Sequence, residues 1–177
     1  IKSVTIPNFI TQIESFAFGG CKNIRKIDFL ENSELKKINS YAFEYSSIES
    51  FTVPVNLMQI DDYGFLYGVK LRKIEIPVNS KLQDIGKYAF SHTEIESIFI
   101  PCLITKIRES CFYGCYMLWK ILIPKNSELQ IIENDAFSDS AIESFTISPH
   151  LTQIGLNLQI IFESLWTQPD MLSPNGW

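Results

Sequence analysis

The 177-residue chain is 46% hydrophobic, enough apolar side chain to build a sizeable core. Its formal net charge of −5 and isoelectric point near 5.1 argue against nucleic acid as the main ligand, because phosphate recognition needs a basic face. No run of about 18 apolar residues occurs, so no membrane insertion by this segment is expected.

From Ile1 the chain repeats. Units begin at Ile1, Ile24, Ile48, Leu71, Ile95, Leu118 and Ile142, with steps alternating between 23 and 24 residues, which makes the larger repeat 47 residues long. A fixed period in this range predicts a solenoid. Ile1 is already in phase, without a methionine or signal peptide before it, so the chain is expected to begin inside a longer array.

Each unit opens with apolar residues at its positions 1, 4 and 6, as in Ile48/Phe51/Val53, Leu71/Ile74/Ile76 and Ile95/Ile98/Ile100. Positions 4 and 6 alternate with polar neighbours, the period of a strand with one buried face, and β-branched and aromatic residues fill them. Proline follows in most units (Pro7, Pro54, Pro77, Pro101, Pro124) and must end the strand, since it removes a ladder donor. Leu30 and Ser148 are the exceptions. Two further inward points follow, such as Leu57/Ile60 or, after Asn-Ser-x-Leu, Leu82/Ile85. A phenylalanine behind a small residue closes most units: Phe18, Phe43, Phe65, Phe90, Phe112 and Phe137. A stack of these rings buries about 2–3 kcal/mol per ring. One such coil cannot bury both its faces, so successive coils are expected to share a core. Their strands should pair into one parallel sheet, with right-handed connections.

Cys21 and Cys115 occupy one repeat position four units apart. At about 4.8 Å per stacked strand they lie roughly 19 Å apart, beyond the ~7 Å that a disulfide spans. Cys111 takes the small-residue slot before Phe112, and Cys102 has no evident partner, so free thiols are expected. His92 and His150 are isolated and read as surface turn residues, and Asp61-Asp62 reads as a solvated pair in a turn. Nothing calls for a cofactor or metal: no Gly-rich phosphate loop, no metal-ligand spacing and no triad is apparent.

Residues that depart from the repeat's bland positions are the candidate site. Position 2 reads Lys2, Arg25, Glu49, Arg72, Glu96, Trp119 and Glu143, so opposite charges should sit side by side from Arg25 to Glu96. Position 3 alternates serine with Lys26, Lys73 and Lys120. Position 5 reads Thr5, Asp28, Thr52, Glu75, Phe99, Leu122 and Thr146. A self-neutralising charge ladder accounts for most of this surface. Phe99 and Leu122, however, should be outward-facing neighbours with Trp119 close by, and exposed apolar patches mark contacts. The candidate protein-binding residues are therefore Phe99, Trp119 and Leu122, flanked by Arg72, Lys73 and Lys120. Two occupants compete for the patch: a partner protein, or the chain's own C-terminal tail.

That tail begins where the repeat fails. Units fill residues 1–154, and 155–177 form a non-repeat segment in which Leu158, Ile161, Phe162 and Leu165 fall at helical spacing beside Trp166, before Pro169 and Pro174. An amphipathic helix there would cap the open end of the solenoid.

The pattern I-x-x-I-x-I-P, then x-x-I, then A-F, with Phe18-Gly-Gly-Cys21 and Phe112-Tyr-Gly-Cys115 as closing forms, resembles the BspA-type leucine-rich repeat over residues 1–154. Even-numbered units depart from it, closing with Phe-x-x-Ser/Thr-x-Ile. The resemblance implies a right-handed leucine-rich-repeat coil with a parallel β-sheet on its concave face. It also implies a non-enzymatic cell-surface or secreted protein, of the kind found in mucosal bacteria and in protozoan parasites such as trichomonads and amoebae. Its partner would be a protein of the host, the extracellular matrix or a neighbouring cell. The alternative is a structural spacer that displays other domains of a longer chain.

Overall fold

The computed structural model describes residues 1–142 and 148–157; the strand expected over 143–147 and the tail helix expected beyond 157 lie outside the described residues. The chain winds as a parallel solenoid. Each of the first six coils carries a front strand and a two-residue return strand, and the seventh carries a return strand among its described residues. The front strands are β1 (Ser3–Ile6), β3 (Lys26–Phe29), β5 (Ser50–Thr52), β7 (Lys73–Glu75), β9 (Ser97–Phe99) and β11 (Lys120–Leu122). The return strands are β2 (Gln12–Ile13), β4 (Lys37–Ile38), β6 (Gln59–Ile60), β8 (Asp84–Ile85), β10 (Lys106–Ile107), β12 (Ile131–Ile132) and β13 (Gln153–Ile154).

Register follows the repeat. Val4 pairs with Ile27, Ile27 with Phe51 and Phe51 with Ile74, so position 4 forms one inward row. Ile98 pairs with Ile121 in the same way. The return strands align their isoleucines, Ile13 with Ile38, Ile38 with Ile60 and Ile60 with Ile85. Coil-to-coil bonding reaches Asn157, whose side-chain amide donates to Asp135 Oδ1 at 2.5 Å.

The phenylalanine column stacks as its spacing predicts. Ring centroids from Phe18 through Phe43, Phe65, Phe90 and Phe112 to Phe137 lie 5.1, 4.8, 5.2, 5.6 and 5.3 Å apart, and the planes are nearly parallel. The small residue before each phenylalanine is buried from Ala42 on, and its carbonyl bonds the previous coil. The Phe43 amide donates to the Gly64 carbonyl at 2.8 Å, Phe65 to Ala89 at 2.7 Å, Phe90 to Cys111 at 2.9 Å and Phe112 to Ala136 at 2.9 Å. A Cβ at Gly64 would meet Ile60 Cγ2 of its own coil at 2.8 Å. The Asn-Ser-x-Leu motif of the even-numbered units is a turn lock. Buried Ser33, Ser80 and Ser127 accept the amides of Leu35, Leu82 and Leu129 through their hydroxyls, at 3.4, 3.2 and 3.2 Å.

The front sheet is not continuous. Its ladder runs β1-β3-β5-β7 and resumes at β9-β11, and the return ladder runs β2-β4-β6-β8 and resumes at β10-β12-β13. Both breaks fall between the fourth and fifth coils. Elsewhere on the return side an even-numbered coil accepts three amides from the next one. Lys36 O takes Met58 and Gln59 and Ile38 O takes Asp61, at 2.9, 3.2 and 2.9 Å. The corresponding amides of Thr105, Lys106 and Arg108 have no such acceptor among the described residues. The phenylalanine side stays bonded across this seam: Tyr88 donates to Glu109 O, Phe90 to Cys111 O and His92 to Tyr113 O. Side chains span it too. Arg108 donates to both oxygens of Asp84 at 2.7 and 3.2 Å, and Lys87 Nζ reaches Glu109 Oε2 at 2.8 Å.

Amide exchange checks the seam. The amides of Thr105, Lys106 and Arg108 should exchange about ten-fold faster than those of Met58, Gln59 and Asp61, their counterparts two coils earlier. Equal protection of the two sets would contradict an open seam.

Candidate functional site

The front strands present positions 3 and 5 outward, two residues apart on one face. In the second and fourth coils these positions satisfy each other: Lys26 Nζ lies 2.6 Å from Asp28 Oδ1, and Lys73 Nζ lies 2.5 Å from Glu75 Oε1. Thr52 of the neighbouring strand donates to Glu75 Oε2 at 3.0 Å. Hydrogen bonds from Lys73 and Thr52, with the Lys73 charge, hold the Glu75 carboxyl below its usual range. These pairs are exposed and neutralise the sheet locally.

The sixth coil breaks this arrangement. Lys120 takes position 3, but Leu122 stands where the carboxylate would be. Leu122 is the register partner of Phe99, so the two apolar residues of the position-5 row sit side by side, as the sequence predicts. Leu122 is 44% exposed and Trp119 45% exposed, while Phe99 is half-buried and packs partly on the core. Lys120 Nζ lies 5.7 Å from the centre of the Trp119 ring, within cation–π range. Among the described residues Lys120 has no carboxylate within ion-pair distance.

The flanking cations behave differently. Lys73 is held by Glu75, and Arg72 turns to Glu94, with Nε 3.0 Å from Oε2. Among the described residues, the charge ladder expected at position 2 forms only at its first step, Arg25 with Glu49 at 3.5 Å. Arg72 has a carboxylate within its own coil boundary, and that nearer partner prevails over Glu49 and Glu96. Of the residues read from the sequence as a site, Phe99 is thus paired with Leu122 and Lys120 lies by the Trp119 ring, while Arg72 and Lys73 are engaged elsewhere.

Sequence reasoning missed the opposite side of the coil. Residues two before the core phenylalanine stack in a second column: Phe16 on Tyr41 at 5.1 Å, Tyr41 on Tyr63 at 4.8 Å and Tyr63 on Tyr88 at 5.3 Å. Residues two after it form a third, with Tyr45 on Tyr67 at 4.9 Å and Tyr67 on His92 at 4.8 Å. His92 is thus a stacked, half-buried ring and not an isolated turn residue. Both columns sit in left-handed backbone, with φ of 62° at Tyr41, 63° at Tyr63, 54° at Tyr67 and 56° at His92. Later coils put Ser110, Asp135, Gly114 and Asp139 at these positions, mostly types that adopt this conformation readily. Gly114 has a second reason. A Cβ there would come within 2.6 Å of His92 Nδ1. The signal was in the sequence as a tyrosine recurring at fixed offsets from the Ala-Phe pair.

All four cysteines are free. Burial lifts the Cys111 thiol well above its ordinary value and pushes Cys115 up to about 11, so neither forms a thiolate near neutral pH. Cys115 is also occupied: its Sγ donates to Phe90 O at 3.1 Å. Asp61 pairs with Lys37 at 2.9 Å, and Asp62 Oδ1 accepts the Lys87 amide at 2.8 Å. Among the described residues no group of three or more His, Cys, Asp or Glu side chains is arranged to hold a metal ion. No helix among them is long and apolar enough to cross a membrane.

Comparison with known proteins places this architecture. The sequence profile of the BspA type leucine rich repeat region matches in six copies, over residues 1–118 and 36–158. The leucine-rich-repeat protein of T. pallidum is similar in fold, with a TM-score of 0.67 at 19% identity over 93% of this chain and 69% of that one. The pneumococcal vaccine antigen PcpA is similar at a TM-score of 0.51 and 19% identity, over 87% of this chain. The match spans 58% of the antigen's own length. No curated protein sequence matches the chain.

The aromatic columns generate a stability test. Tyr63→Asn trades two stacking contacts, with Tyr41 and Tyr88, for relief of left-handed strain and should cost no more than about 1–2 kcal/mol in urea unfolding. Phe65→Ala, two residues on, should cost about 3–5 kcal/mol because it opens a cavity in the buried column. Comparable losses would show that the outer column carries the coil as much as the inner one.

Proposed function

The chain belongs to the BspA-type leucine-rich-repeat family, and on that premise we propose that it is a non-catalytic protein-binding module of a cell-surface or secreted protein, contacting its partner through the front sheet. The observation that carries this reading is the register pair Phe99 and Leu122, with exposed Trp119 just ahead of the Leu122 strand. On a face otherwise covered by serine, threonine and paired charges, these three side chains leave apolar surface in water. Large aromatic and aliphatic side chains of this kind anchor protein interfaces. The partner is a protein of a host cell, of the extracellular matrix or of a neighbouring cell. That assignment leans on the family and on a structural neighbour that is itself a vaccine antigen. Residues 1–154, the repeat units, supply this recognition surface.

The competing role is a spacer whose front sheet touches nothing. The repeat supplies the means to separate the two, because it shows which residues its own positions tolerate. Threonine fills position 5 at Thr5 and Thr52, and arginine fills position 2 at Arg25 and Arg72. The triple variant Phe99→Thr, Leu122→Thr, Trp119→Arg should therefore fold, with a melting temperature about 2–6 °C lower because half-buried Phe99 packs on the core. Against an immobilised panel of purified matrix and cell-surface proteins, the wild-type chain should bind at least one member. The triple variant should bind that member about ten-fold more weakly or worse. Binding that survives all three substitutions would move the interface elsewhere, and no binding to any member would favour the spacer.

A further inference from the structure

We propose that the front-sheet patch reads an acidic, apolar segment of its partner: a carboxylate that docks on Lys120, next to aliphatic or aromatic side chains that pack on Leu122, Phe99 and Trp119. This rests on the front sheet being the binding face, and it adds the chemistry of what binds there.

The argument comes from comparing the chain with itself. Position 3 carries lysine in the second, fourth and sixth coils, and the backbone around it is the same strand each time. Lys26 and Lys73 find their carboxylates two residues on, at Asp28 and Glu75. Lys120 meets Leu122 instead, and among the described residues nothing replaces the missing anion. The same substitution has two effects. It creates the apolar pair with Phe99, and it removes the counter-charge that the other two lysines have. The cation and the apolar surface are therefore adjacent by construction, within one strand pair.

The Trp119 ring strengthens the site. It holds the Lys120 ammonium at 5.7 Å from its centre, which covers one side of the cation with apolar surface. A carboxylate arriving from the partner would meet a cation already partly shielded from water, where a charge-assisted hydrogen bond gains more than it would on an open surface. A basic partner would meet Lys120 with like charge. A neutral apolar partner would leave Lys120 without a counter-ion when water is expelled from the interface. Charge complementarity thus selects an acidic occupant, and Leu122 and Phe99 select apolar neighbours for the acid.

The neighbouring cations do not dilute this preference, because Arg72 and Lys73 already have carboxylates at 3.0 and 2.5 Å. Among the described residues Lys120 is the position-3 lysine without a carboxylate partner, and Lys26 and Lys73 are paired within their own strands. The chain's formal charge of −5 opposes an acidic partner at long range, so the attraction of Lys120 acts at short range.

The test pans a random phage-displayed peptide library on the immobilised full chain and measures the enriched peptides by fluorescence anisotropy. Three variants accompany the wild type. Lys120→Gln removes the cation. Leu122→Glu restores the lysine–carboxylate pair seen at Lys73 and Glu75. The third is the double change Phe99→Thr, Leu122→Thr. All three substitute residues that the same fold carries on its exposed face, and a thermal melt confirms folding. Enriched peptides should carry Asp or Glu next to Leu, Ile, Phe or Trp. Lys120→Gln and Leu122→Glu should each weaken them about ten-fold, and raised salt should weaken wild-type binding more than Lys120→Gln binding. Peptides that lose binding in the threonine double variant, yet show no acidic enrichment and ignore Lys120→Gln, would overturn the acidic-partner inference while leaving the binding face in place. Enriched peptides indifferent to all three variants, or no enrichment, would overturn both.

Discussion

Parallel stacking at about 4.8 Å per coil is the constraint on which everything else in this protein depends. A strand ladder at that spacing leaves room for a column of aromatic rings only if the rings lie nearly parallel, and the core phenylalanines do so at 4.8–5.6 Å. The residue before each ring is small because its side chain points into filled space: Ala42, Ala89, Cys111 and Ala136 are fully buried, and a Cβ at Gly64 would meet Ile60 Cγ2 at 2.8 Å. The coil spacing also forces equivalent positions into rows. A substitution at one position is then always read against its neighbours one coil away, in the core and on the surface alike.

The two sides of the coil respond to that constraint differently. On the phenylalanine side the coil-to-coil hydrogen bonds run through the fourth and fifth coils without interruption, and Arg108 with Asp84 adds a two-bond bridge at the return corner. On the strand sides both ladders lapse at that same boundary. The apolar patch begins on the first strand after the lapse, where Phe99 pairs forward to Leu122 and has no ladder partner in the preceding coil. The surface that departs most from the repeat's chemistry thus lies next to the place where the repeat's main-chain order departs most from itself.

Much of the fold was legible in the sequence because a repeat tests each inference several times. Period-2 alternation at positions 4 to 6, the proline stop and the Ala-Phe pair each recur, and the strands, corners and ring column follow them. The pairing of Phe99 with Leu122 was also legible, since register in a solenoid is set by counting. What was not legible has a common physical cause: the outcome depends on which of several nearby partners a side chain chooses. Arg72 had Glu49, Glu94 and Glu96 within one coil and took Glu94. Lys26 and Lys73 chose carboxylates on their own strand, and only that choice singles out Lys120 as the lysine of its row without one among the described residues. The tyrosine columns escaped notice because aromatic side chains are rarely expected in left-handed backbone, where stacking of successive rings offsets the local strain. The seam has no counterpart in the repeat pattern, which continues through it in phase.

The central claim is that the front-sheet patch stands open to a partner in the intact chain. Hydroxyl-radical footprinting of the full 177-residue protein, read by mass spectrometry at Trp119 and Leu122, tests this most directly. The account predicts labelling as fast as at other exposed side chains such as Leu30 and Met117. Truncation after residue 157 should leave those rates unchanged. Slow labelling that rises on truncation would show that the chain's own C-terminal segment covers the patch, and would contradict its role as a partner-binding surface.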